Sequence, residues 1–184
     1  TFMHLNEWTM LTVTRTGGND YLYMQGIASA PQSLAHITSV DYLRLGSAGN
    51  SGTAGFSGSI SNVRVFNRAL SQGEITTLYE EHRNILSDVH PNLVAFYRGD
   101  DVSGNTLLDG TPNDNDATHT SSVLTAAGKF GNALDTTTAS TGHAVATGAI
   151  PLTDSTGSLS YWFKYPTGAA VGRGASIRGS GATG

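Results

Sequence analysis

Hydrophobic and polar residues alternate in the manner of β-strands along most of the chain. The segment "WTMLTVTRT" (8–16) is rich in apolar and β-branched residues, "GGND" (17–20) is a turn signal, and "YLYMQG" (21–26) is typical of a returning strand. In "DYLRLGS" (41–47), two leucines alternate with a tyrosine and an arginine, which favours a half-buried strand. The beginning of the chain therefore predicts a hairpin followed by another strand.

The stretch from 56 to 80 predicts a strand that runs directly into a helix. Alternation divides the strand into two faces, one with Ile60, Asn62, Arg64 and Phe66 and the other with Ser61, Val63 and Val65. Ser71 followed three residues later by Glu74 is a capping box, and Leu70 can form a hydrophobic staple with Ile75. Because a helix of about ten to twelve residues is marginal alone, we expect it to dock on the sheets.

The remaining sequence predicts further strands around one polar loop. The strand segments are "NLVAFYRG" (92–99), "NALDT" (132–136), "HAVAT" (143–147), "GSLSYWFKYP" (157–166) and 175–178. The segment 100–118 is dense in Asp, Asn and Gly, which favours a loop. About nine or ten strands are expected in all.

Composition excludes several classes of function. The chain has only two lysines, a net charge of −4 and no basic run, which argues against nucleic acid or an anionic membrane as partner. It has no cysteine, so no disulfide framework is expected. No apolar run approaches the ~20 residues of a membrane helix, so membrane insertion is not expected.

The segment "FSGSISNVRVFNRALSQGEITTLYE" (56–80) resembles the closing strand and capped helix of laminin-G-like, concanavalin A-like lectin/glucanase domains. The segment "LNEWTMLTVTRTGGNDYLYMQG" (5–26) is similar to an interior hairpin of that family. Segments resembling the family's opening come later, namely "NLVAFYRGDDVSGNTLLDG", "GKFGNALDTTTAS" and "SLSYWFKYP". The resemblance implies an all-β fold, a two-sheet antiparallel jelly-roll sandwich with one short capped helix.

The order of these segments is inverted relative to the family. It predicts the C-terminal half of one module at 1–86, a linker at 87–91 and the N-terminal half of a second module at 92–184. The alternative is one circularly permuted domain spanning 1–184, which is plausible because the termini of such a domain usually lie close together. In the first arrangement, neighbouring jelly-roll modules of the same tandem repeat would be partners of this segment.

The polar loop is the best candidate for a metal site. Calcium takes six to eight oxygen ligands, and loops rich in Asp and Asn supply them. Related domains often bind calcium in this region, so the resemblance adds weight to a Ca²⁺ ion here. The alternative is that these side chains only cap turns. The candidate ligands are Asp100, Asp101, Asp109, Asn113 and Asp116, with Asp114 and Asn115 beside them.

Catalysis is not expected. Glycoside hydrolases on this scaffold place carboxylates on one strand as E-x-D-x-x-E, and none of the four glutamates belongs to such a triplet. The six histidines form no metal-binding pattern, and no G-x-S-x-G motif occurs. Trp8 and Trp162 match core positions of the family, so we interpret them as packing residues, whereas Tyr21, Tyr23, Tyr42 and Tyr97 are left open between core and ligand contact.

The resemblance implies a non-catalytic recognition module of a secreted or surface-exposed multidomain protein. Its ligand would be a glycan or a protein surface, which includes carbohydrate binding and cell adhesion, and structural calcium would accompany it. Two alternatives stay open. The chain is a structural spacer repeat of a surface fibre, adhesin or virion appendage, or it is an ancillary domain attached to a hydrolase.

Overall fold

The computed structural model describes residues 5–17, 19–29, 42–48, 54–80, 92–100, 102–103, 105–120, 123–137, 143–147, 156–166 and 175–178. These residues form 16 strands and one helix. In chain order they are β1 (Trp8–Thr16), β2 (Asn19–Met24), β3 (Ile27–Ala28), β4 (Tyr42–Leu45), β5 (Ser47–Ala48), β6 (Ala54–Gly55), β7 (Ser59–Phe66), α1 (Gln72–Glu80), β8 (Leu93–Tyr97), β9 (Val102–Ser103), β10 (Thr106–Leu107), β11 (Ala117–Thr120), β12 (Val123–Ala127), β13 (Asn132–Asp135), β14 (His143–Thr147), β15 (Gly157–Lys164) and β16 (Ala175–Arg178).

The strands form two main antiparallel sheets. The eight-stranded sheet has the order β12-β13-β7-β15-β1-β2-β3, and β8 pairs with β7 beside this path. The six-stranded sheet has the order β16-β4-β14-β11-β10-β9, and β5 pairs with β6 separately. The predicted fold class, an all-β jelly-roll sandwich of two antiparallel sheets with one short helix, is confirmed.

The main hydrophobic core lies between the two sheets. Residues of both sheets meet in it, among them Leu43 and Leu45 of β4, Leu159 and Phe163 of β15, and Val65 of β7. Side chains of a strand point alternately to its two faces, so every second residue of β4 and β15 contributes. The alternation predicted for β4 is confirmed, and β15 follows the same pattern.

A second core lies under the helix, on the outer face of the eight-stranded sheet. Ile75 and Leu78 of α1 are buried against the side chains of Met10, Phe66 and Trp162. The predicted capping box is present, since the backbone N–H of Ser71 donates to the Glu74 carboxylate at 2.9 Å and the Glu74 N–H donates to Ser71 Oγ at 3.4 Å. The predicted docking of the helix on the sheets is therefore confirmed.

The predicted faces of β7 are corrected by a β-bulge at Asn62. Asn62 adopts a positive φ of 52°, and the register of β7 against β15 shifts between Ser160 and Trp162. The shift inserts one residue, so Ile60 lies in the inter-sheet core with Val63 and Val65 rather than on the face of Arg64. The two-residue alternation of a strand cannot reveal an inserted residue. The signal in the sequence was an asparagine inside the strand, because asparagine adopts a positive φ more readily than most residues.

Strands from both parts of the sequence share the eight-stranded sheet. β15 pairs with β1 over residues 157–164 and with β7 on its other side. β8 and β13, which also follow the helix in sequence, pair with β7 as well. The predicted division into two module halves concerns the boundaries of a longer protein and stays a prediction.

Candidate functional site

The outer face of the six-stranded sheet carries mostly polar residues, of which Ser103, Thr118 and Thr120 are exposed. Register places Thr106 of β10 beside Thr118 of β11, Thr118 beside Val145 of β14, and Val145 beside Arg44 of β4. Ser103 extends this row at β9, while Thr120 and His143 form a neighbouring pair. We call this surface the open face, defined by Arg44, Ser103, Thr106, Thr118, Thr120, His143 and Val145.

Small inward residues make the open face possible. Ala117, Ala144 and Ala146 alternate with the open-face positions and are buried against the main core. Their neighbours Thr118 and Thr120 are exposed. The described helix packs on the other sheet, and the open face is exposed in part.

The chemistry of the open face suits a polar ligand. Each threonine or serine hydroxyl can donate one hydrogen bond and accept two, and an arginine only donates. The exposed hydroxyls of Thr118 and Thr120 can exchange hydrogen bonds with the hydroxyl or amide groups of a ligand. No tyrosine, tryptophan or phenylalanine ring that could stack on a sugar is present among the described side chains of this face.

Sequence reasoning missed the open face because it placed residues up to 118 in a loop. The segment "ATHT" of β11 has little hydrophobicity, and its only strand signal is the alternation of a small residue with threonines. Pairing with β14, which was predicted as a strand, holds it in the sheet. The alternation in "ATHT" matches the A-V-A alternation of β14, and this match could have indicated that the two segments pair as strands.

The predicted metal loop is held together by its own hydrogen bonds, with Asp109 at its centre. Asp109 Oδ1 accepts from the backbone N–H of Phe96 at 2.8 Å and of Thr111 at 3.0 Å. Asp109 Oδ2 accepts from the Thr111 hydroxyl at 2.8 Å and from the Asn115 N–H at 3.1 Å. A carboxylate has about four acceptor positions, so these donors occupy the whole group.

The neighbours of Asp109 continue the same network. Asp116 Oδ1 accepts from the Asp109 N–H at 2.8 Å, and the Asn113 and Asn115 amides donate to the Val94 carbonyl at 3.1 and 2.7 Å. The hydroxyl of Tyr97 donates to the Asn115 carbonyl. Burial raises the pKa of the Tyr97 phenol above its ordinary value, and the charges of Asp109 and Asp116 add to this.

Of the other two predicted ligands, Asp100 is separate from this loop network. Asp100 Oδ1 accepts from the Asn132 N–H at 2.6 Å, beside Gly131. Gly131 has a φ of 69°, and a Cβ there would lie 2.2 Å from the Asp100 carboxylate, so this turn requires glycine. Asp101 lies outside the described residues.

The structure therefore brings Asp109, Asn113, Asn115 and Asp116 together and leaves Asp100 apart. Within the described ranges, no group of three or more His, Cys, Asp or Glu side chains is placed to hold a metal ion. A calcium ion bound by these residues would need carbonyl, amide or water oxygens for most of its ligands. Calcium binding stays a prediction.

The aromatic side chains mostly serve packing. Trp162 is 3% exposed, stacks on Tyr79 with ring centroids 5.6 Å apart, and meets the edge of Phe130 at 5.9 Å. Trp8 is half-buried against the same core, so both tryptophans pack as predicted. Tyr97 is buried, Tyr21 and Tyr23 are half-buried, and the side chain of Tyr42 lies outside the described set.

The charged side chains near the helix also have structural partners. The Arg68 guanidinium donates to both carboxylate oxygens of Glu74, at 3.0 and 2.5 Å. This hydrogen bonding, helped by Ser71, lowers the pKa of Glu74 from 4.5 to about 2. Arg15 forms a similar fork with the carboxylate of buried Asp20, with both distances at 2.6 Å. The Arg64 guanidinium also lies over the Phe96 ring, 5.0 Å from its centroid.

Comparison with known proteins supports the resemblance for the first part of the chain. Residues 2–76 match the Laminin_G_3 family model, described as the concanavalin A-like lectin/glucanases superfamily. No curated protein and no solved structure matches the chain. Among the described residues, no helix has the length and apolar character needed to cross a bilayer. The segment 2–76 is thus laminin-G-like in sequence, and its described residues belong to a sandwich of two antiparallel sheets.

Proposed function

We propose that the chain is a non-catalytic recognition module and that the open face of its six-stranded sheet contacts the ligand. The observation that supports this is that two exposed threonines, Thr118 and Thr120, lie on the same face of β11, with Thr106 of β10 in register beside Thr118. Family membership of the first segment supports a lectin-like or recognition role in general. The ligand class is a glycan or a polar protein surface, in an extracellular or cell-surface setting.

The positions of the carboxylates support a role without catalysis. Hydrolysis of a glycosidic bond needs two carboxylates that flank the substrate in a cleft. Asp109, Asp20 and Glu74 each accept hydrogen bonds from structural partners within the sandwich. Side chains with such partners stabilise the fold, which leaves recognition as the function that this scaffold supports best.

A glycan array and a pull-down with the chain as bait test the proposal. The test variant is Thr118→Val with Thr120→Val, which removes two hydroxyls and keeps β-branched side chains suited to a strand. The matched control is Thr16→Val, an exposed threonine at the end of β1 in the other sheet. We expect saturable binding by the parent chain and by the control, and a loss of about tenfold or more in the double variant.

Two outcomes would contradict the proposal. Equal binding by the parent chain and the double variant would place the ligand away from the open face. An absence of saturable binding on the array and in the pull-down would favour the spacer alternative.

We keep calcium as a proposal for the loop around Asp109. Ligands that bind only the folded state raise its melting temperature by mass action. Calcium should therefore raise the melting temperature of the parent chain, and Asp116→Asn should reduce that shift more than Asp135→Asn does. A melting temperature that is the same in calcium and in chelator would remove calcium from the proposed function.

A further inference from the structure

The part of the chain that precedes the helix leaves a one-strand slot in the eight-stranded sheet. β1 and β7 both belong to this part, yet each pairs with β15 rather than with the other. The order β7-β15-β1 therefore puts a strand from the end of the chain between two strands from its beginning. Without β15, the facing backbone groups of β1 and β7 would have no partners, which is costly for buried strands.

β15 fits the slot on both of its faces. Leu159, Tyr161 and Phe163 point into the core between the sheets. Trp162 points to the opposite face and is buried under the helix with Met10. A strand that is buried on both faces contributes to two cores at once, so its removal would expose both.

Side-chain hydrogen bonds tie β15 to both walls of the slot. Thr12 Oγ1 on β1 donates to Ser160 Oγ at 2.8 Å. Next to β7, the Ser158 hydroxyl accepts from the Leu70 N–H at 2.9 Å and donates to the Arg68 carbonyl at 2.9 Å. The last two bonds hold the segment that leads into the helix, so the position of the helix also depends on β15.

Other contacts join the same two parts of the chain. The buried Thr136 hydroxyl donates to the carbonyls of Phe56 and Gly58, and the Thr136 N–H donates to the Gly58 carbonyl at 2.9 Å. The Asn67 N–H donates to the Asn92 carbonyl at 3.1 Å. These bonds connect loops as well as strands, so the two parts meet along much of the sandwich.

We infer that the slot between β1 and β7 is a strand-acceptor site for β15. Residues 5–80 form the acceptor part and residues 92–166 form the donor part. The two parts associate even when the chain between them is cut, and neither part folds as a domain alone. On this inference, the described residues between 5 and 166 belong to one folding unit in place of two independent halves.

The test cuts the full chain after it has folded. A specific protease site is inserted within 87–91, the folded protein is cleaved, and the product is examined by gel filtration and thermal melting. We expect both fragments to elute together at the volume of the uncleaved chain. Their single melting transition should move to lower temperature on dilution, because the cut makes folding bimolecular. Two separated fragments that each keep a β-type circular dichroism spectrum would overturn the inference.

A matched pair of variants tests the slot itself. Ser160→Asp places a carboxylate at a position that is 1% exposed inside the slot, and Ser103→Asp makes the same change at an exposed position. In the cleaved protein, we expect Ser160→Asp to weaken fragment association by about tenfold or more, with Ser103→Asp close to the parent. If the fragments of both variants associate with equal affinity, the slot does not hold the two parts together.

Native-state hydrogen exchange on the uncut parent chain gives an independent measurement, should Ser160→Asp fail to fold. If one unit forms, the slowest amides of β1, β7 and β15 open with the same free energy. Two distinct opening free energies, one for β1 with β7 and another for β15, would overturn the inference.

Discussion

The outer faces of the two sheets differ in what covers them. On the eight-stranded sheet, Met10, Phe66 and Trp162 lie under the helix and form a second core. On the six-stranded sheet, the equivalent outward positions carry Thr118 and Thr120, which face solvent. The same backbone architecture therefore gives one face that stabilises the fold and one that is available to a ligand. The residues at alternate positions of each strand determine whether its outer face is covered or exposed.

This difference can be seen in the strand sequences themselves. β15 carries large side chains on both faces, and six of its eight residues, 158–163, are buried. β11 alternates buried Ala117 with exposed threonines. A strand that is buried on both faces is central and covered, whereas clean alternation marks a strand with one wet face. The comparison predicts that substitutions on the two faces will differ strongly in their effect on stability.

The largest effect is expected on the covered face. Leu78 is 1% exposed, and Leu78→Ala removes its side chain from the core under the helix. Such truncations cost about 2–5 kcal/mol in the free energy of unfolding. Thr77→Ala, an exposed change on the same helix, is the control and should stay within about 0.5 kcal/mol of the parent. Urea unfolding measures both, and a Leu78→Ala cost as small as that of the control would mean that the helix is not docked.

A smaller effect is expected at the loop between β10 and β11, which hydrogen-bonds to β8 of the other sheet. Asp109→Asn leaves one acceptor oxygen where the carboxylate accepts four hydrogen bonds, and it turns amide donors toward the N–H groups of Phe96 and Thr111. We expect a loss of about 1–3 kcal/mol in the free energy of unfolding.

The control for this loop is Asp114→Asn, at an exposed position with a positive φ of 53° that asparagine tolerates. Chemical denaturation in chelator should leave this control near the parent, so that the difference between the two variants reports hydrogen bonding alone. Equal losses in both variants would show that negative charge, rather than the hydrogen-bond network, sets the stability of the loop.

The sequence predicted the covered face far better than the open one. The strand at β15, the capping box and the docked apolar stripe follow from large residues at regular spacing, which dominate burial. β11 escaped prediction because its threonines carry little hydrophobic signal, and pairing with β14 determines its structure. The roles of Asp109 and Thr136 could not be read from sequence either, since their partners lie on other strands.

A third prediction concerns acid stability at the start of the helix. Arg68 and Ser71 lower the pKa of Glu74 to about 2, so the charged carboxylate stabilises the fold fully above its ordinary pKa of 4.5. That contribution is lost as the pH falls from 4.5 toward about 2. Because the Glu74 side chain is 41% exposed, solvent screening keeps the effect below about 1 kcal/mol.

The measurement for Glu74 is the free energy of unfolding at about pH 6 and about pH 2.5 in the parent, Glu74→Gln and Glu80→Gln chains. We expect Glu74→Gln to be less stable than the parent at the higher pH and closer to it at the lower one, where most of the contribution is lost. Glu80→Gln, an exposed change at the other end of the helix, should follow the parent at both. If the free energies of unfolding of Glu74→Gln and the parent differ by the same amount at both pH values, the effect comes from packing rather than from charge.

The smallest stability effect is expected on the open face, and it is the most informative one for function. Thr118→Val with Thr120→Val keeps the shape and β-propensity of both residues, so the free energy of unfolding should change by no more than about 0.5 kcal/mol. The same chain should lose ligand binding, because the hydroxyls are the part of the surface that a polar ligand can contact. A large loss of stability would show that these hydroxyls have partners in the fold, and the open face would then be a second structural face.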